Sequence, residues 1–460
     1  DDKTLVLCAA NDKEFVVPAY VEKIADFAFN GNIGLESITL NEGLKTIGAY
    51  AFYACANLQK APAFPSTLER IDAYAFANCT AMKGNVIFNN GLLAIGEGAF
   101  SECNKLDGDI TVPDTVTSLA RGIFANLNIT GVELPDTLKE IPAEAFRGCR
   151  NLETVKMPRY LQTIGEAAFE GCASLTSIDI PASVRSVYTK VPFEEKGKGM
   201  IMGYYTTEEV EGIGRYAFAN CTSLESINFI AGGAQRLSLG DYAFYGCTSL
   251  TSVSIPNRVR GDSIPGYAWS DPSGSGGDSH TYRAQGIGAY AFARCTNLES
   301  VVFEEEGVAT FAEKLIIKIG AFMDCTKLQS VQFSSAIGDI VVTVDDGRSA
   351  TNYGASAIHA RAFAGCSALA EVKFADGYDF SKMTVVNSAF ADCKNLRLPD
   401  EITYIDGSIY MEMAKGDKVD FSCDTWVDQH YQIYGCKYHG DKGQLTSCTF
   451  YDAYKYGITR

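Results

Sequence analysis

A twelve-residue phrase recurs along this chain and constrains its fold more than any other feature. It reads IGAYAFYACANL from Ile47, IDAYAFANCTAM from Ile71, IGEGAFSECNKL from Ile95, IPAEAFRGCRNL from Ile141 and IGEAAFEGCASL from Ile164. It returns as IGRYAFANCTSL from Ile213, LGDYAFYGCTSL from Leu239, IGAYAFARCTNL from Ile287 and IHARAFAGCSAL from Ile358. Looser copies place the central phenylalanine at Phe29, Phe124, Phe322 and Phe390, which makes thirteen markers. The first seven are separated by 23, 24, 24, 24, 22 and 23 residues. A fixed period of this length specifies a row of like units, each packed on its neighbours.

The copy from Leu152 shows what one unit is made of. Leu152-x-x-Val155-x-Met157 has the spacing of a leucine-rich-repeat strand, with Val155 and Met157 inward, Lys156 outward and Pro158 closing it. Ile164, Ala168, Cys172 and Leu175 follow at steps of four, four and three, the spacing of one helical face. The predicted fold is therefore α/β: a leucine-rich-repeat solenoid, a right-handed β-α superhelix with one continuous parallel sheet. Short helical or 3-10 turns would line its opposite face.

Fifteen cysteines, an odd number, cannot all pair with one another. Eleven of them lie three residues after a marker phenylalanine, from Cys55 in the second unit to Cys393 in the last. Disulfides or metal thiolates are one reading of such a column. Small thiols filling one inward position are the other. Packing is favoured, because Leu127 takes the same place in the fifth unit and a site that accepts leucine wants volume.

The phrase I-G-x-x-A-F-x-x-C-x-x-L-x-x-V-x-I-P resembles the BspA-like leucine-rich repeat family of bacterial surface proteins, over roughly residues 15 to 399. The resemblance implies a secreted or lipid-anchored protein of a host-dwelling microbe, with a targeting segment removed ahead of Asp1. It also implies adhesion to host extracellular matrix or cell-surface proteins. Composition agrees: Lys+Arg 39 against Asp+Glu 56 gives a net charge of -17, which disfavours nucleic acid and anionic membrane surfaces. No apolar run reaches the ~18 residues of a membrane-spanning helix.

Two gaps, Phe169 to Phe218 and Phe244 to Phe292, are about twice the period and hide no further copy. Both insertions fall between a strand's end and the next phrase, so both emerge on the same side. The first, about 188–211, carries Tyr204 and Tyr205; the second, 258–286, carries Trp269 and the run Ser273-Gly274-Ser275-Gly276-Gly277. Loops on a rigid scaffold often carry recognition, although neutral loop growth is also cheap. Arg260-Gly261-Asp262 in the second insertion resembles the tripeptide that integrins recognise, and a tripeptide also arises by accident. The candidate binding residues are Arg260, Gly261, Asp262, Trp269, Tyr204 and Tyr205. The outward stripe of the strands (Thr39, Ile87, Thr111, Glu133, Lys156, Asp179, Asn228) is mixed and small, without aromatic anchors.

The ends depart from the period. Thr4–Leu7 and Phe15–Val17 suggest a capping hairpin over 1–23; the repeats span 24–399; 400–460 suggest a β-rich cap or small module. That module holds Cys423, Cys436 and Cys448, where a single disulfide is an alternative to packed thiols, and His430 and His439, whose spacing fits no standard zinc site. Gly212-Ile213-Gly214 and Gly286-Ile287-Gly288 satisfy a dinucleotide-loop pattern but are the repeat phrase itself. The paired carboxylates Glu194-Glu195 and Asp345-Asp346 fall in expected loops. No cofactor or metal is expected. The reading is a noncatalytic, monomeric extracellular binding protein for host protein or glycan. The alternative is a spacer that presents its aromatic C-terminal module.

Overall fold

The Leu-x-x-Val-x-Met stretch forms the short strand its alternation predicts, Thr154–Lys156, and the Pro158 carbonyl then accepts the Leu161 N–H to close a turn. The computed structural model describes residues 3–6, 12–195, 199–233, 235–260, 263–269, 279–283, 286–305, 315–338, 340–345, 350–355, 358–359, 361–380, 383–398, 402–405, 408–412, 418–422, 436–438 and 445–448. They fall into two units: Asp1–Arg185 with Ile213–Gly233 and Ala243–Ser252, and Ser186–Gly212 with Ala234–Tyr242 and Val253–Arg460.

In the first unit most repeats supply two short strands, and every pairing between described repeats is parallel. The first kind comes from the L-x-x-V stretch. Thr154–Lys156, Asn128–Glu133, Lys105–Thr111 and Lys83–Gly84 form a sheet in that order, with Val155 beside Val132 and Val132 beside Ile110. Ser177–Ile180 pairs directly with Ser226–Phe229 across the first insertion, so the extra residues emerge without breaking the stack. The second kind is only two residues long and was not predicted. Thr4–Leu5, Lys23–Ile24, Thr46–Ile47, Arg70–Ile71 and Ala94–Ile95 form a five-stranded parallel sheet. Ile164, expected on a helical face, belongs to such a strand and pairs with Ile141.

The expected helical return is corrected as well. In place of a helix each repeat from the Phe29 copy to the Phe363 copy has a ribbon of turns with two left-handed residues, one two positions before the marker phenylalanine and one two after; the Phe390 copy keeps a short 3-10 helix, Asn387–Phe390, and has one such residue, Asp392. In the third repeat these are Tyr74 (φ 54°) and Asn78 (φ 61°); in the sixth, Glu144 (φ 59°) and Gly148 (φ 73°). Regular alternation into the left-handed region is incompatible with an α-helix. It turns alternate N–H groups toward the neighbouring repeat instead. Tyr50, Phe52 and Ala54 donate to the carbonyls of Ala73, Ala75 and Ala77, while Ala51, Tyr53 and Cys55 bond within their own unit. The i, i+4 apolar spacing that suggested a helix follows from this turn period.

Thr4–Leu5 and Glu14–Val16 do not pair with each other. They pair in parallel with Lys23–Ile24 and Ser37–Thr39, so the N-terminal segment is a degenerate repeat, and the hairpin expectation is corrected.

The marker phenylalanines form the core. Phe29, Phe52, Phe76, Phe100, Phe124, Phe146, Phe169, Phe218 and Phe244 are at most 1% exposed. Consecutive rings in this unit stack 4.8 to 6.2 Å apart. The shortest spacings match the ~4.8 Å between paired strands, so one ring per strand spacing gives a continuous stack. Beside it runs the thiol column, all free and buried except Cys393, which is half-buried. Cys55, Cys103 and Cys149 donate Sγ–H to the carbonyls of Phe29, Phe76 and Phe124 at 3.1, 3.0 and 3.0 Å. Volume was the expected role; each of these thiols also makes a weak hydrogen bond to an earlier repeat.

The second unit uses the same rules. Ser300–Phe303, Ser330–Gln332 and Glu371–Lys373 pair in parallel, and Phe292, Phe322, Phe363 and Phe390 stack at 5.1 to 5.2 Å. Parallel pairing of Thr384–Val386 with Thr403–Ile405 carries the repeat pattern past residue 399. The insertions here are not loops. Val187–Glu195 pairs antiparallel with Gly199–Val210, Ser263–Trp269 with Ser279–Arg283, and Ile340–Asp345 with Ala350–Ala355. Glu194, Glu195 and Asp345 therefore sit on strands, while Asp346 and the Ser273–Gly277 run lie outside the described residues. Further hairpins join Ser408–Glu412 to Lys418–Ser422 and Cys436–Tyr438 to Leu445–Cys448.

Candidate recognition surfaces

The two long insertions meet. Gly199–Val210 of the first pairs antiparallel with Ser263–Trp269 of the second, making one four-stranded sheet ordered Val187–Glu195, Gly199–Val210, Ser263–Trp269, Ser279–Arg283. In its register Tyr204 stands opposite Trp269, Tyr205 opposite Ala268, and Thr206 opposite Tyr267, which in turn stands opposite His280. Residues about sixty positions apart in sequence thus become cross-strand neighbours. Ser279–Arg283 runs beside Ile340–Asp345, and Ala350–Ala355 beside Ser408–Glu412, so successive insertions form a row of hairpins.

The Arg-Gly-Asp reading meets a different fate. Arg260 is 4% exposed, its own N–H reaches the Leu237 carbonyl at 3.4 Å, and its carbonyl accepts from Arg236 Nη1 at 3.1 Å. Arg236 and Arg258 are buried as well, at 8% and 5% exposure. The Arg260 guanidinium is buried with its backbone and Nη1 donates to the Val259 carbonyl at 3.2 Å, so the expectation of an exposed recognition arm at Arg260 is corrected to a buried side chain. Gly261 and Asp262 lie outside the described residues.

Among the described residues no group of three His, Cys, Asp or Glu side chains is placed to hold a metal ion. Cys423, His430 and His439 lie outside them. Cys436 and Cys448 occupy opposed register positions. No described helix is long and apolar enough to cross a membrane. The buried thiols are poor nucleophiles: burial pushes Cys149 and Cys221 up to about 12.

Sequence reasoning missed one surface feature. Phe27, Tyr50 and Tyr74 stack at 5.1 Å intervals on the turn ribbon of the first unit; Phe27 is 52% exposed and the two tyrosines are half-buried. Tyr74 Oη donates to Glu97 at 2.7 Å, and this bond raises its pKa to about 12. The signal was available, since aromatic residues recur two positions before the marker at Phe27, Tyr50, Tyr74, Tyr216, Tyr242 and Tyr290. Along the strand edges, charges alternate between repeats: Glu22 lies between Lys3 and Lys45, and hydrogen bonds from both hold its carboxyl down at about 2.

Parallel strands at a period of 22 to 24 residues, with a buried apolar column behind them, define a leucine-rich repeat protein. A family model described as "BspA type Leucine rich repeat region (6 copies)" matches residues 7–127, 84–196, 203–314, 285–342 and 350–438, and the chain belongs to that family. No curated protein matches. Among solved structures, a leucine-rich repeat protein from Bacteroides ovatus is similar at 21% identity and a TM-score of 0.59, over 85% of this chain and 82% of that one. A leucine rich cell surface protein from Faecalibacterium prausnitzii matches at 21% identity and a TM-score of 0.42, over 88% and 91%. The pneumococcal vaccine antigen PcpA matches at 14% and 0.39, over 88% and 86%. Of these three likenesses the first alone bears on this chain, and it bears on the fold.

Proposed function

We propose that this chain is a noncatalytic binding protein displayed outside the cell, and that the antiparallel sheet built from its two long insertions is the recognition surface. The observation that carries this reading is the register itself, with Tyr204 opposite Trp269. Two segments that add nothing to the parallel stack nevertheless pair with each other, and their aromatic positions converge. Neutral loop growth would not require that convergence. Extracellular display rests on family membership. The partner class is a host matrix or cell-surface protein, or a glycan, for which aromatic rings offer apolar faces with polar edges. The net charge of -17 disfavours polyanionic partners.

The test compares the full chain with a variant in which 190–208 and 265–281 are replaced by short Gly-Ser links, on matrix-protein and glycan arrays. Binding by the full chain and its loss in the variant is the expected outcome. Undiminished binding by a folded variant would refute the assignment. If truncation after Asp400 abolishes binding instead, the chain is a spacer that presents its C-terminal hairpins.

A further inference from the structure

The left-handed position two residues after each marker phenylalanine forms a column along the turn ribbon of the first unit, and its side chains follow a rule. Asn126 (φ 59°) leans over the next repeat's Gly148, so closely that a Cβ added there would lie 1.9 Å from Asn126 Oδ1. Asn220 covers Gly246 in the same way, with 2.8 Å to the added Cβ. Gly171 breaks the rule. The residue before it in the column is Gly148, which has no side chain to cover it, and a Cβ added at Gly171 would meet nothing closer than 3.8 Å.

The gap is a shallow notch of about 310 Å³, lined by Asn126, Arg147, Arg150, Glu170 and Asn220 above a floor of Gly148 and Gly171. Arg147 Nε donates to Glu170 Oε2 at 2.9 Å, which fixes both groups at the rim. Arg150 is exposed and forms no ion pair with a described residue. Two guanidinium groups and one carboxylate leave a local charge of +1 on a chain of net charge -17.

We propose that this notch binds a carboxylate-bearing sugar, such as a uronic or sialic acid residue. Arg150 supplies a bidentate donor pair for the sugar's carboxylate. The Glu170 carboxylate accepts sugar hydroxyls, and the exposed Asn220 amide both donates and accepts. An acidic peptide side chain would satisfy Arg150 but would bring no hydroxyl donors for Glu170. The site is independent of the insertion sheet, and excising the two hairpins would leave it unchanged.

Saturation-transfer NMR on the full chain tests the proposal, with glucuronate and N-acetylneuraminate as probes and glucose and a blocked Glu-Glu peptide as controls. Saturation of both acids, with little from either control, is expected. Arg150→Ala and Gly171→Asn should each weaken that binding about tenfold or more without lowering the melting temperature. Asparagine is the native residue at this column position in Asn126 and Asn220, so Gly171→Asn fills the notch with a side chain the backbone accommodates. No transfer to the acids, equal transfer to glucose or the peptide, or unchanged binding in both folded variants would overturn the proposal.

Discussion

The Cys149 thiol donates to the Phe124 carbonyl at 3.0 Å, and the same bond recurs from Cys172 to Phe146 and from Cys221 to Phe169. Each thiol thus fills a core position and ties its repeat to the one before. Cys149→Ala removes both the volume and the donor, and should cost about 1–3 kcal/mol in denaturant unfolding. A thiol reagent should leave the ten fully buried column cysteines, from Cys55 to Cys366, unmodified in the native protein and modify all of them in denaturant.

The phenylalanine stack carries more energy than any exposed ring. Phe169 is fully buried and stacks on Phe146 and Phe218 at 5.2 Å each. Phe169→Ala should cost about 3–5 kcal/mol, and hydrogen exchange should rise first in the repeats on either side. Phe27→Ala, at the half-exposed end of the tyrosine ladder, should cost less than about 1 kcal/mol.

Left-handed residues with a Cβ are strained, and the ribbon contains many of them. Ala167 has φ 53°, and a left-handed residue with a Cβ costs about 1–2 kcal/mol. Ala167→Gly relieves that strain, against an unfolded-state entropy of about 0.4–1 kcal/mol, so a net gain of up to about 1.5 kcal/mol is expected in thermal unfolding. Gly148→Ala should do the reverse, since it adds strain at φ 73° and crowds Asn126.

Acid should weaken the Lys3–Glu22–Lys45 triad in a defined window. Glu22 has a lower pKa when folded, about 2, than the ~4.3 of an unfolded glutamate, so its contribution is complete above the unfolded value. That contribution disappears as pH falls from there through about 2. Glu22→Gln should flatten the pH dependence of the melting temperature in that interval, and added salt should shrink the difference because the group is exposed to solvent.

The period and the strand were legible because both are written in spacing: Leu152, Val155 and Met157 alternate as a strand must. The turn ribbon was not, because its apolar positions at Ile164, Ala168 and Cys172 repeat every four residues, as a helix's do. Only φ at Ala167 and Gly171 distinguishes the two, and residues as different as Tyr74, Glu102 and Asn126 take that conformation. Pairing between inter-repeat carbonyls and N–H groups, which stabilises those values, depends on neighbours that a single unit does not contain. The meeting of Tyr204 with Trp269 is long-range in the same sense. Each residue was a candidate in its own insertion, and only strand register places them together. Arg260 failed as a candidate because a tripeptide says nothing about burial.

Hydrogen exchange on the full chain, with and without a partner captured from the arrays, tests the central claim most directly. Protection on binding should concentrate in 199–210 and 263–269, the two strands that bring Tyr204 opposite Trp269. Protection confined to the outward stripe of the parallel strands, around Thr111, Glu133 and Lys156, would contradict it.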